Sequence, residues 1–284
     1  MPMSATRYDP TRTAGLRQRY GAELKRRLMQ LKHLIWQTVV VNDALYLDTE
    51  HGLRILGRKG PGKKYDWPID LDGKTTAFIE WLQDAIDDGV LGIEVREGNR
   101  IIARNAWQNL YVRSAYSRAV EAATRALQRA GLDVGSTGLE AVFGAAIHAD
   151  TLALLYTRNF RLLNGITDAM SAAISRELTM GLAQGLGARE VASMLNQQVE
   201  KIGIRRALVL ARTEMIHAYA EASLNRYQEF GIKGVTAMVE FATTGGEGVC
   251  AVCADLDKRQ FTIDEARGVI PVHPNCRCAW LPVV

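Results

Sequence analysis

Cysteine is scarce in this chain: 284 residues hold four, and Cys250, Cys253, Cys276 and Cys278 all fall within one 29-residue window. Long apolar stretches are absent, since no uncharged run approaches the roughly 18 residues a membrane helix needs. The opening MPMSATRYDPTRTAG lacks an apolar core behind a basic start, so a secretory leader is not expected. Folding in a reducing compartment is therefore the expectation, and it weakens a disulfide reading of the cysteines. The chain also has no His-Glu-x-x-His, P-loop, Gly-x-Ser-x-Gly or dinucleotide fingerprint. Neither half of the zinc-deaminase pattern, a His-x-Glu upstream of Pro-Cys-x-x-Cys, is present. These absences remove the common hydrolases, nucleotide enzymes and base deaminases.

What remains is ordinary for a globular protein of one or two domains, with 48% hydrophobic and 23% charged residues. The net charge of +4 is uneven. Residues 11–33 carry Arg12, Arg17, Arg19, Lys25, Arg26, Arg27 and Lys32 against the single acid Glu23. A second basic run holds Arg54, Arg58, Lys59, Lys63 and Lys64. Such clustering suits contact with nucleic acid or an acidic protein surface, and it suits equally a solvated helix face.

Periodicity predicts a mainly α-helical body. Leu16, Tyr20, Leu24, Leu28, Leu31 and Ile35 recur at steps of four and three within a helix over 11–41. Residues 44–73, rich in Gly and Pro, read as an irregular arm. Further helices are expected over 75–89, 105–131, 139–160, 168–185, 188–199 and 203–231. Beyond Gly231 the period falls to two, and Val235, Ala237, Val239 and Phe241 mark a half-buried strand. A return strand at KRQFT, a capping box of Thr262 and Glu265, and a terminal strand at CRCAWLPVV complete the tail. The fold class is α+β, a helical body with a small C-terminal zinc-stapled α+β module. The domains are 1–73 (basic helix and arm), 74–231 (helical) and 232–284 (Cys/His module).

The module carries the chemistry. Cys250-x2-Cys253 is followed by His273-x2-Cys276-x-Cys278. Two thiolates two residues apart supply half of a tetrahedral site, and sulfur with imidazole favours Zn2+. Five candidates compete for about four positions. Cys250, Cys253 and His273 with one of Cys276 and Cys278 form the favoured set. If Cys276 and Cys278 share a strand face, both reach the metal and His273 stands outside. The competing readings are four buried thiols acting as small apolar groups, a disulfide pair, or a redox dithiol, the last lacking its βαβ context. A site with every position filled by protein is structural. Arg277, between ligands, is expected to turn away and pair with Glu240 or Glu214. Arg212, Glu214, His217 and Glu221 in ARTEMIHAYAE read as structural, and His148 as a satisfied or surface histidine.

Three stretches resemble the phage head morphogenesis family, the Mu F-like minor head proteins of tailed bacteriophages. They are ALVLARTEMIHAYAEASLNRYQEFGI, VEFATTGGEGVCAVCADLDKRQFTIDEA and IPVHPNCRC. The N-terminal DPTRTAGLRQRYGAELKRRLMQLKHLI is also similar to the basic helix opening many members. The chain departs from the family where TTGGEGVC moves the usual acid to Glu247, and where Ala251-Val252 replaces a Pro-containing pair. The resemblance implies a structural, non-enzymatic minor capsid protein present in several copies inside the phage head and made in the host bacterial cytoplasm. Its implied partners are the portal protein or major capsid protein and packaged double-stranded DNA, with no membrane. The alternatives are an ADP-ribosyltransferase-like or other transferase carried with the virion, and a freestanding DNA-binding protein.

Overall fold

The computed structural model describes residues 9–47, 68, 70–93, 95–97, 100–102, 107–134, 138–231, 238–246 and 248–283. The second basic run, most of the 44–73 arm, Val235, Ala237 and Glu247 lie outside them. The chain packs as two compact units, each drawn from separate stretches. Unit 1 takes residues 1–21, 107–159 and 209–284, and unit 2 takes 22–106 and 160–208.

The helical body is as the periodicity predicts, except that the helix expected over 139–160 breaks at Ala145, which is extended, and its second part runs on to Ala183. Helix α1 runs Ala14–Trp36, α2 Leu71–Ile86, α3 Gln108–Arg129, α4 Leu139–Gly144, α5 Ala146–Ala183, α6 Ala188–Gln198 and α7 Arg205–Gly231. The α1 stripe from Leu16 to Ile35 is buried at every position predicted. Two expected breaks are not there. The gap expected at 161–167 is helical, because Asn164 and Thr167 make bonds that a helix tolerates. Asn164 Nδ2 donates to Asp168 Oδ2 at 2.8 Å, and Thr167 Oγ1 donates to the Asn164 carbonyl at 2.8 Å.

The second missing break is between α6 and α7, where Val199–Ile204 forms a π-helical stretch. The buried residues there step from Leu195 to Val199 to Ile204, and the five-residue interval matches the wider turn. Gly203 is required on that stretch. A Cβ there would stand 2.8 Å from Met170 Sδ and 3.2 Å from Leu28 Cδ2, both in the unit 2 core. Similar π turns close α1 at Gln37–Val41 and α2 at Asp87–Leu91. The second postpones the stop expected at Gly89 to Gly92, which takes the left-handed cap at φ 69°. A short hairpin that alternation did not suggest pairs β1, Val95–Glu97, with β2, Arg100–Ile102.

Unit 1 holds the tail sheet. Strand β3, Met238–Ala242, is central, with β4, Gln260–Thr262, and β5, Ala279–Val283, antiparallel on either side. Phe241 faces Trp280 across the ladder, and the Trp280 ring meets Phe241 and Phe261 edge-on at 5.5 and 5.4 Å between centroids. These rings bury against Leu127 of α3 and Leu224 and Tyr227 of α7. Area burial by side chains of this size is the main stabilisation open to so small a sheet. The capping box forms as expected and opens α9, Ile263–Ala266, with Glu265 Oε2 accepting from the Thr262 N–H at 2.9 Å.

A polar network is also buried in unit 1. His148, fully buried, lies with Nδ1 2.7 Å from the Tyr116 hydroxyl, which accepts from Asn225 Nδ2 at 2.8 Å. The hydroxyl proton therefore faces Nδ1, leaving the ring proton on Nε2, 3.3 Å from Glu229 Oε2. Burial lowers the His148 pKa, and Glu229, itself held by Arg226 at 2.7 Å, opposes this only in part. A histidine kept neutral in the fold stabilises it above the unfolded pKa of about 6.5 and ceases to as pH falls towards the lower folded value. His148→Gln is expected to flatten the loss of stability between neutral and mildly acidic pH. That loss has a slope of up to about 1.4 kcal/mol per pH unit in the parent chain. Urea melts across that range measure it, and equal slopes in both chains would refute the assignment.

Candidate metal centre

Cys250 and Cys253 do not sit on a simple turn. Cys250 is the N-cap of α8, Ala251–Leu256, and its Sγ accepts the Cys253 N–H at 3.4 Å. One helical turn thus aims both sulfurs to one side. The opposing loop leaves α9, passes through a cis Ile270–Pro271 bond and reaches His273. The His273 Nδ1–H donates to the Pro274 carbonyl at 2.8 Å, which turns Nε2 towards the cysteines. Nε2 lies 3.2 Å from Cys250 Sγ and 3.2 Å from Cys253 Sγ.

Cys276 and Cys278 precede β5 rather than lying on it, in an extended segment that buries both. Their sulfurs group with Cys253, and the ligand atoms within this trio, as within Cys250–Cys253–His273, lie no more than 4.8 Å apart. All five candidates therefore converge, and Cys253 is common to both trios. A tetrahedral ion with bonds of about 2.0–2.3 Å separates its ligand atoms by roughly 3.5 Å, so the cluster fits one. None of the four cysteines is in a disulfide.

The electrostatics are those of thiols crowded together. The hydrogen bond from the Cys278 thiol holds Cys276 down to about 5, while the same bond and burial push Cys278 up. Burial raises Cys253 to about 12. Cys250 is lowered by the Cys253 N–H, and His273 is raised by its bond to Pro274. Thiols crowded in this way are what a divalent cation would convert to thiolate ligands, by displacing their protons.

Thr213, His217 and Glu221 of α7 brace this loop, through partners that the sequence does not display. Thr213 Oγ1 accepts the Asn275 N–H at 3.1 Å, and Asn275 takes the left-handed region at φ 63°. His217 Nδ1 meets the Ile270 carbonyl at 3.2 Å, while Glu221 accepts from Arg267 at 3.1 Å and from the Gly268 N–H at 3.2 Å. Glu214 is buried and accepts from Arg158 Nε at 2.9 Å. The Arg277 guanidinium donates to the Gly248 carbonyl at 3.3 Å, rather than pairing with Glu240 or Glu214 as expected. Glu214 was already engaged by Arg158.

The basic residues of the N-terminal helix divide. Arg17 is buried against Asp9 at 2.7 Å, Arg27 bonds Glu23 and the Gly89 carbonyl, and Lys32 meets Glu200 at 3.2 Å. Arg12, Arg19, Lys25 and Arg26 are exposed, Arg26 paired with Glu23. Among the described residues no helix is long and apolar enough to cross a membrane.

Neither the curated proteins nor the solved structures yield a match to the chain. A family model does: residues 172–281 match Phage Mu protein F like protein. The matched stretch spans α7, the Cys/His cluster and nearly all of the tail sheet, so it includes the segments whose motifs carried the resemblance. Over residues 172–281, then, the chain is similar to that family, and the match leaves residues 1–171 outside it.

Proposed function

We propose that the chain is a minor structural protein of a tailed-phage head, lying inside the head near the portal. The observation carrying this reading is the family match over residues 172–281, which bears on a head-morphogenesis or capsid-related role. Portal or major capsid protein is the partner proposed, in several copies per virion, with packaged DNA met by the exposed basic residues Arg12, Arg19, Lys25 and Arg26. The Cys/His cluster is assigned Zn2+, on its sulfur-rich donor set. Zinc held by four protein ligands has no open position, so its role is to staple the tail module.

The reading is non-enzymatic. Glu214 and Glu221, the acids that a transferase built on α7 would need, are each taken up by an arginine. The experiment is proteomic and structural. Virions of the phage encoding the chain, purified by density gradient, are expected to contain it at substoichiometric level and to release it with the portal on mild disruption. Its absence from purified particles would overturn the assignment. Its presence only on the outer surface would overturn the internal location.

A further inference from the structure

A cleft of about 490 Å³ in unit 1 is bounded by α3, β5 and the Pro10–Arg12 segment. Its rim carries four arginines, Arg12, Arg118, Arg125 and Arg129, against one carboxylate, Glu121. The three on α3 are spaced by seven and four residues, which places them on one helix face over about 16 Å. Arg118 donates to the Arg12 carbonyl at 3.0 Å, tying the two walls together, and Glu121 sits 3.6 Å from Arg125. Small side chains, Ala122 and Ala126, line the wall between the arginines, and Leu281 opposite is 43% exposed. Trp280 also lines the cleft, and its buried indole N–H has no acceptor among the described residues. A buried donor of that kind is rare in a finished fold.

We propose that this cleft is a docking site for an extended, acidic and partly apolar peptide segment of a protein partner. Cationic rim, small-residue wall and exposed leucine together match an interface with an arginine-anchored apolar centre. A segment of about five residues spans the arginine row at about 3.3 Å per residue, with alternate side chains entering the cleft. Carboxylates on such side chains reach the guanidinium groups bidentately. A nucleic-acid duplex fits less well, because its phosphates lie on a convex surface and gain nothing from apolar walls. The proposal is independent of the metal centre and of the virion assignment.

The test uses the full chain and a fluorescein-labelled twelve-residue peptide in which glutamates alternate with alanine and leucine. Fluorescence anisotropy at low salt is expected to show binding that weakens at least tenfold in Arg125→Ala/Arg129→Ala. The same loss is expected in Leu281→Asp and with a peptide carrying Gln for Glu. Both arginines are exposed, so circular dichroism should find those variants folded. Equal peptide affinity in the parent and the double variant would overturn the proposal, as would no peptide binding to the parent. A duplex oligonucleotide whose binding depends on these arginines, where the peptide's does not, would overturn it in favour of nucleic acid.

Discussion

Cys253→Ser is expected to abolish metal binding and unfold the tail module, the largest single effect available in this chain. Cys253 is buried and belongs to both trios of candidate ligands, so every set of four that contains a complete trio includes it. Apparent zinc affinities in small structural sites are about 10–16 kcal/mol. A whole domain is stable by only about 5–15 kcal/mol. Losing the metal therefore removes as much free energy as the fold has to lose. Purified parent chain should hold about one zinc per molecule. The variant should hold almost none, and its near-ultraviolet signal from Trp280 should collapse. Chelation of the parent should produce the same spectrum. A parent chain with free thiols and no zinc would refute the site. Serine variants of Cys276 and Cys278, compared for zinc content, identify the fourth ligand: the true ligand loses zinc and the spare retains it.

Trp280→Ala should be the second largest effect, and its contrast with Trp280→Phe makes it informative. Alanine removes a fully enclosed ring from contacts with Phe241 and Phe261, and large-to-small changes of this kind cost about 3–5 kcal/mol. The thermal midpoint should fall by roughly 10 °C. Phenylalanine keeps most of the ring and deletes an N–H that has no acceptor among the described residues. Its packing loss is therefore partly offset by the removal of an unmade hydrogen bond, and the net cost should stay below about 1.5 kcal/mol. Paired melts decide the point. If phenylalanine costs as much as alanine, the indole nitrogen has a partner in solution.

Much of this was legible because burial imposes period. The α1 stripe, the Phe241 face of β3 and the Thr262–Glu265 box each depend on neighbours three, four or two residues away, and sequence displays such spacing directly. The clustering of five ligand candidates was legible for the same reason, since chelation needs short spacings. What was hidden depends on partners far along the chain. Thr213 reads as one more helical threonine until Asn275, 62 residues later, is brought to it. Arg277, expected at Glu240 or Glu214, bonds the Gly248 carbonyl 29 residues away, and Glu214 is held by Arg158, 56 residues from it. The division of the N-terminal basic residues was equally obscure, as Arg17 and Arg19 differ only in which faces Asp9.

The π turns at 37–41, 87–91 and 199–204 bear on how the chain tolerates change in length. An α-helix that loses one residue rotates everything beyond the deletion by about 100° and buries the wrong face. A turn that already contains one residue more than the α-helix can shed it and return to the ordinary hydrogen-bond pattern. These turns are therefore the points where unit 2 can absorb a single-residue deletion with its core face kept in phase. A scan of one-codon deletions should find soluble survivors concentrated there and absent from the middle of α1 and α2.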